Sequence, residues 1–338
     1  MGIMSRDIGI DLGTSNVRIH VKGRGIVLDE PTVVAINKIT SEVLAVGKQA
    51  KEMLGRTPDS IVAVKPLKDG VIADFMGTKL LIQTFISKVI NKSIFAKPRL
   101  VVSIPSGITD VEERAVEGVI YKAGAKDVYL MEEAMAAAIG AGLKVEKPEG
   151  CMVVDIGGGT TEIAVISLGG IVVSQSIRFA GEKLDKDIID YVKRTHNTII
   201  GQSEAEEVKI TIGAAEGTMT EEKIAIKGRH LATGLPNTVI LTSTDITLAI
   251  KDTIDEMVKS IKLILEKTPP ELSADIMEQG IVLTGGCSQI KNMDRYISDK
   301  IGIPVHIANN PTECVARGVG MALDSIEVLR KAVKTRRR

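Results

Sequence analysis

Two segments of this chain share one design. "IGIDLGTSNVRI" (residues 8–19) and "VVDIGGGTTEIAVI" (153–166) each run from an apolar strand to an aspartate. Both then enter a glycine-rich turn carrying hydroxyls and leave along a second apolar strand. Glycine at a strand end contributes no packing and costs conformational entropy. Three in a row, Gly157-Gly158-Gly159, imply that something approaches the backbone closely there. Turns of this kind can aim several N–H groups at one oxyanion. One such hairpin says little. Two of them, about half a chain apart, imply a duplicated domain whose turns face each other across a cleft, with Asp11 and Asp155 at equivalent strand ends.

The rest of the chain agrees with an α/β fold containing parallel sheet. "RLVVSIPSG" (99–107) reads as a buried strand, followed by a helix from about Asp110 that Thr109 caps with Glu112 as its box partner. "KDVYLMEE" reads as a strand and "AMAAAIGAGL" as a helix; "GIVLTGGCSQI" (280–290) reads as a strand ending in glycines, then a helix. "LKVEKPEG" (143–150) is a joint between halves, and residues 216–243 read as a small, more exposed β-containing insert. Lys+Arg and Asp+Glu are equal at 43 each and aromatics make up 2%, which argues against nucleic acid as a partner. Cys151, Cys287 and Cys314 lack metal-ligand spacing and read as structural thiols of a reducing compartment. The first residues enter a strand at once, leaving no room for a signal peptide, and no apolar run reaches the roughly 20 residues of a membrane span.

Ligands of α/β sheets sit at the carboxyl ends of strands. The turns Gly13-Thr14-Ser15-Asn16 and Gly157-Gly158-Gly159-Thr160 are placed to hold a polyphosphate from two sides. Asp11 and Asp155 would hold Mg²⁺, through its waters, because that ion dehydrates reluctantly. Gly285-Gly286 would let a flat base lie against backbone, and Glu133 would polarise a water aimed at the terminal phosphate. Each piece also has a plainer explanation. An aspartate before glycine marks a hairpin, "TGGCS" can be a helix-entry turn, and Glu132 and Glu133 complement a helix dipole. Their joint occurrence in this order favours the site.

"DIGIDLGTSN", "DIGGGTTE", "AGEKLDKDI" and "LTGG" resemble the phosphate and adenosine motifs of the actin, sugar-kinase and heat-shock-chaperone ATPases. "VKGRGIVLDEPTVVA", "PLKDGVIADF", "SIPSGITDVEERA", "EEAMAAAIGAG" and "EKTPPELSADIMEQGIVLTGG" look like the MreB family of bacterial actins, from about Arg6 to Leu323. The resemblance implies duplicated actin-like (ribonuclease H-like) domains flanking a nucleotide cleft, each with a smaller inserted subdomain. Domain I would span 1–145 with an insert at about 31–66, and domain II 146–324 with an insert at about 180–242. Residues 325–338 would be a helix end and basic tail returning to domain I.

The resemblance also implies ATP with Mg²⁺ as cofactors, hydrolysis, and head-to-tail, paired filaments. It makes Glu133 the catalytic glutamate and Thr160 the water-positioning threonine. Glu206 and Lys209 would contact adenosine, with Gly285 and Gly286 on its other side, and Gly181 and Asp185 would lie near the sugar. Two departures stand out. Ala134 replaces the usual proline after the glutamate pair, and Cys287 replaces a usual third glycine beside the adenosine contacts.

Read alone, Ile94 and Phe95 belong to an ordinary loop tucked into the core, whereas the resemblance makes that loop membrane-inserting. The ending "RKAVKTRRR", with Arg336, Arg337 and Arg338, reads either as a solvated tail or as a segment drawn to an anionic membrane. The implied protein is a cytoplasmic filament ATPase at the inner face of the membrane that organises cell shape. Membrane proteins of the shape or wall machinery would be its further partners. The alternatives are a small-molecule kinase, for which no second pocket is advertised, a chaperone, for which the chain stops too soon, and a filament subunit with weak hydrolysis.

Overall fold

Residues 7–90, 97–217, 219–324 and, as backbone, 333–335 are described by the computed structural model. Two large sheets carry the duplication. In the first, the strands run in the order Val333–Thr335, Asp127–Glu132, Arg99–Ile104, Ile8–Leu12, Asn16–Val21, Gly25–Pro31. In the second the order is Val305–Ile307, Ile281–Thr284, Cys151–Ile156, Thr161–Ser167, Gly170–Ile177. Each therefore has a three-strand antiparallel meander whose first strand pairs in parallel with later strands of its half. The central strands Ile8–Leu12 and Cys151–Ile156 are buried along their whole length. That explains their near-continuous apolar sequence, since both faces are covered.

Each half also carries a smaller three-stranded sheet. One is built from Val34–Asn37, Val43–Val46 and Ile61–Val64, the other from Thr198–Ile199, Lys223–His230 and Pro236–Thr242. The second includes the β-rich insert expected over 216–243. The helix expected near Asp110 spans Asp110–Lys122, and its start is the predicted box: the Thr109 hydroxyl accepts the Glu112 amide, and the Glu112 carboxylate accepts the Thr109 amide.

Two helices lock the halves together. Glu133–Gly140 follows a strand of the first sheet but packs on the second, while Cys314–Ala322 follows the second half and packs on the first sheet. Their crossing is built from small residues. A Cβ on Gly140 would lie 1.8 Å from the Cys314 carbonyl oxygen, and one on Gly318 would lie 1.9 Å from that of Ala136. Ala134 is fully buried in this same cluster and serves there as a core contact.

Two expectations need correction. The segment after "LTGG" is not a continuous helix: a 3-10 turn, Gly286–Gln289, precedes the helix Met293–Ile301. The Ser288 hydroxyl closes the turn on the Gly285 carbonyl (2.7 Å), and Asn292 sits at φ 60°, which breaks helical continuity. The basic ending is not wholly a tail either, because Val333–Thr335 pairs antiparallel with Asp127–Glu132 at the sheet edge. Arg336, Arg337 and Arg338, like Ile94 and Phe95, lie outside the described residues.

Candidate functional site

The two glycine turns meet between the large sheets, on a cavity of about 480 Å³. Asp11, Gly13, Thr14, Ser15 and Asn16 line it from the first half, and Asp155, Gly157, Gly158, Gly159 and Thr160 from the second. Glu133 enters at the first residue of its helix. Gly181, Asp185, Glu206 and Lys209 form one wall, and Gly285, Gly286 and Cys287 continue the lining, the Cys287 thiol lying 2.9 Å from where a Cβ on Gly181 would stand. The structure thus brings every cleft residue expected from the sequence into one cavity.

The glycines also have a reason that the sequence did not disclose. A Cβ on Gly158 would lie 2.0 Å from Ser15 Oγ, and one on Gly159 would lie 2.4 Å from Thr14 Oγ1. The turns interdigitate, so lost side chains in one make room for hydroxyls of the other. Thr14 is tied down further by the Gly70 amide, which donates to its hydroxyl at 2.9 Å. Gly285 is demanded twice over. It sits at φ 81°, and a Cβ there would meet the Ile156 carbonyl oxygen at 2.3 Å.

The wall is ordered by Lys209. Its ammonium lies 2.6 Å from Asp185 Oδ1 and donates to the Gly181 carbonyl at 2.8 Å. Gly181 and Glu182 begin a helix, and their amides donate to the carbonyls of Gly157 (3.2 Å) and Gly158 (2.8 Å). The glycine turn, the helix start and the lysine are therefore one hydrogen-bonded unit. Cys287 joins it through a contact of its thiol with the Gly157 carbonyl (3.3 Å), and burial holds that thiol protonated by pushing its pKa up.

Carboxylates dominate the electrostatics. Burial raises Asp11 to about 7 despite the nearby Arg18, and Asp155 to about 6 despite the hydrogen bond from Thr284 (2.6 Å). Glu133 is raised well above the usual carboxylate range, first by burial and then by the charges of Glu162, Asp155 and Asp11. Glu162 itself is pushed up to about 7 by burial. Such a cluster holds protons near neutrality until positive charge arrives. Two buried carboxylates on opposed turns, with no all-protein cage of three or more acids or imidazoles among the described residues, form a donor set that suits a hydrated Mg²⁺ bound together with phosphate oxygens.

Sequence reading missed Arg18, Lys65 and Glu162. Arg18 lines the cavity with its guanidinium 3.5 Å from Asp11 and 3.2 Å from Asp29. The two-residue alternation of its strand, with Val17 and Ile19 buried in the core, puts it on the opposite face with Asn16, and that signal was readable. Lys65, which lines the cavity, pairs with Glu182 at 2.6 Å, and Lys51 pairs with the lining residue Glu206 at 2.8 Å. Glu162 was detectable as the one acid in the apolar strand "TEIAVIS".

Among known proteins, the family model described as MreB/Mbl protein matches residues 5–331. The chain is 48% identical over 329 residues to the cell shape-determining protein Mbl of Bacillus subtilis (strain 168), covering 97% of this chain and 99% of that protein. It is 48% identical over 332 residues to the cell shape-determining protein MreB of Escherichia coli (strain K12), covering 97% and 96%. Among solved structures, MreB5 of Spiroplasma citri bound to AMPPNP superposes with a TM-score of 0.92 at 38% identity, covering 96% of this chain and 98% of that one. The same protein bound to ADP gives a TM-score of 0.91.

Proposed function

This chain belongs to the MreB/Mbl family of actin-like proteins, and we propose that it is a cytoskeletal ATPase whose filaments lie against the membrane and organise cell shape. The observation that carries the proposal is the single cavity in which two equivalent Asp–Gly turns, Glu133 and Thr160 converge. Support for the nucleotide comes from the ADP- and AMPPNP-bound MreB5 structures, which share this fold over nearly the whole chain.

In this reading the turn amides and the hydroxyls of Thr14, Ser15 and Thr160 cradle the phosphates. Glu206 and Lys209 face the adenosine opposite Gly285 and Gly286, with Gly181 and Asp185 near the sugar. Asp11 and Asp155 would hold Mg²⁺, which when bound would supply positive charge beside the phosphate oxygens. Phosphoryl transfer to water needs positioning and charge neutralisation more than covalent chemistry. Thr160 orients the attacking water and Glu133 accepts its proton, a role suited to a carboxylate whose proton affinity burial has raised. Membrane attachment through Ile94, Phe95 and the arginines of the C-terminal end belongs to the same proposal. So does self-association head to tail in paired filaments.

Phosphate release and sedimentation test it together, with ATP and magnesium, on the native chain and Glu133→Ala, each with and without anionic liposomes. The native protein should pellet and release phosphate. Glu133→Ala should still pellet while hydrolysing about 100-fold more slowly or less. A native chain that neither pellets nor hydrolyses, or a variant that hydrolyses at the native rate, would refute the proposal.

A further inference from the structure

The cations that line the cavity are Arg18, Lys65 and Lys209. Both lysines are engaged. Lys209 is held by Asp185 and the Gly181 carbonyl, and Lys65 by Glu182 at 2.6 Å. Arg18 differs, and its register explains how. It stands opposite Asp11 on one neighbouring strand and opposite Asp29 on the other, so one row across the sheet reads Asp11, Arg18, Asp29. In the second hairpin the residue opposite Asp155 is an acid, Glu162. The duplication therefore places an arginine beside only one of the two glycine turns.

The two aspartates hold this guanidinium by charge and leave its donors almost unused. Nη1 donates to Asp11 Oδ2 at 3.5 Å, a long and weak hydrogen bond. Nε lies 3.2 Å from Asp29 Oδ2, yet it is buried and has no hydrogen-bond partner. The other oxygen of Asp29 accepts the side-chain amide of Asn16 at 2.7 Å. Among the described residues Nη2 makes no hydrogen bond. An arginine that only fastened strands together would close its fork on one carboxylate, the bidentate geometry that makes such bridges strong. Here the side chain is only 16% exposed and its fork stays open. Leaving charged donors unmatched in a mostly buried place is costly, so the arrangement fits an acceptor that enters the cavity. Arg18 follows the turn Gly13–Asn16 by two residues and shares the face of Asn16. An acceptor at that turn with several oxygens in one plane matches the guanidinium fork, and phosphate provides it.

We propose that Arg18 is a phosphate-binding residue of the cleft: placed by Asp11 and Asp29, it turns the open fork of its guanidinium onto oxygens of the polyphosphate held at Gly13–Asn16. The proposal rests on the nucleotide reading given above and adds to it a permanent cation, since arginine is not deprotonated in proteins.

Calorimetric titration of the full chain with ATP and with adenosine, at saturating magnesium, reads this contact without reference to turnover. Arg18→Gln keeps one donor for Asp11 but removes the charge and the fork. It should weaken ATP binding about tenfold or more, while adenosine, which has no phosphate, binds within about twofold of native. Raising magnesium about tenfold further should restore nothing, because the contact is to phosphate and does not act through Asp11. Arg18→Lys keeps the charge as a point without the fork. It should weaken ATP about threefold and supplies the result if Arg18→Gln fails to fold.

An Arg18→Gln protein that binds ATP within about twofold of native would overturn this proposal alone. So would equal losses for ATP and adenosine, which mark a merely structural role, a loss that added magnesium abolishes, or an Arg18→Lys protein indistinguishable from native. A native chain that binds neither ATP nor adenosine would overturn the nucleotide reading and this proposal with it.

Discussion

Replacing Asp155 by asparagine should make the nucleotide-free protein more stable, although it removes a proposed ligand of the magnesium site. Asp155 is buried at the end of Cys151–Ile156, where desolvation raises its pKa from 3.8 to about 6. A raised folded-state value means that the carboxyl favours folding only while it is protonated. Its contribution is whole below the unfolded value and is lost as pH climbs through the folded one. At about pH 7.5 the group is charged in both states. The shift then costs about 3 kcal/mol, at about 1.4 kcal/mol per pH unit. Asparagine has the same shape and still accepts the Thr284 hydroxyl, so it removes the charge without leaving that hydrogen bond unmade. The assay is urea unfolding of both proteins with chelator and no nucleotide, at about pH 7.5 and about pH 5. The gain should be about 3 kcal/mol at the higher pH and roughly half of that at the lower, vanishing below about pH 4. Adding ATP and magnesium should stabilise the native chain and do little for the variant. An asparagine variant less stable at about pH 7.5, or a gain equal at both pH values, would refute the reasoning.

The same logic of close contact applies to Gly285→Ala, which forces a positive φ and a Cβ against the Ile156 carbonyl oxygen. It should lower the unfolding free energy by about 2–4 kcal/mol and reduce nucleotide affinity, measured by urea titration and equilibrium binding. A loss under about 0.5 kcal/mol would mean that the turn relaxes freely. The Lys65–Glu182 pair over the cavity is partly exposed on both sides, so a double-mutant cycle should give a coupling of about 0.2–1 kcal/mol that shrinks in high salt. A salt-independent coupling would show that packing, rather than charge, joins the two residues.

Much of the site was legible because its parts are local. The Thr109–Glu112 box, the aspartates at strand ends and the hydroxyl-bearing turns are each written in a few adjacent residues, and the structure brings the expected cleft residues into one cavity. The break after "LTGG" is not legible in the sequence because Asn292 at φ 60° interrupts a helical pattern that composition alone permits. The terminal strand is not legible either, because "VKT" becomes a strand only where the edge of Asp127–Glu132 offers it hydrogen bonds. Arg18 is absent from the sequence reading although strand alternation could have found it. Lys51 and Lys65 could not be found in that way, since their partners, Glu206 and Glu182, lie far away in sequence.

The sequence by itself determined the duplication, the α/β class and the strand-end placement of Asp11, Asp155 and Glu133. Hydrophobic period and turn chemistry act over a few residues and need no partner to be read. Only the tertiary structure decided that Gly158 and Gly159 make room for Ser15 and Thr14, and that Glu162 joins the two halves through Ser106. These are contacts between segments distant in the chain, made where two turns and two sheets converge. Their necessity comes from excluded volume and from satisfying a buried charge, and neither exists until the halves are packed together.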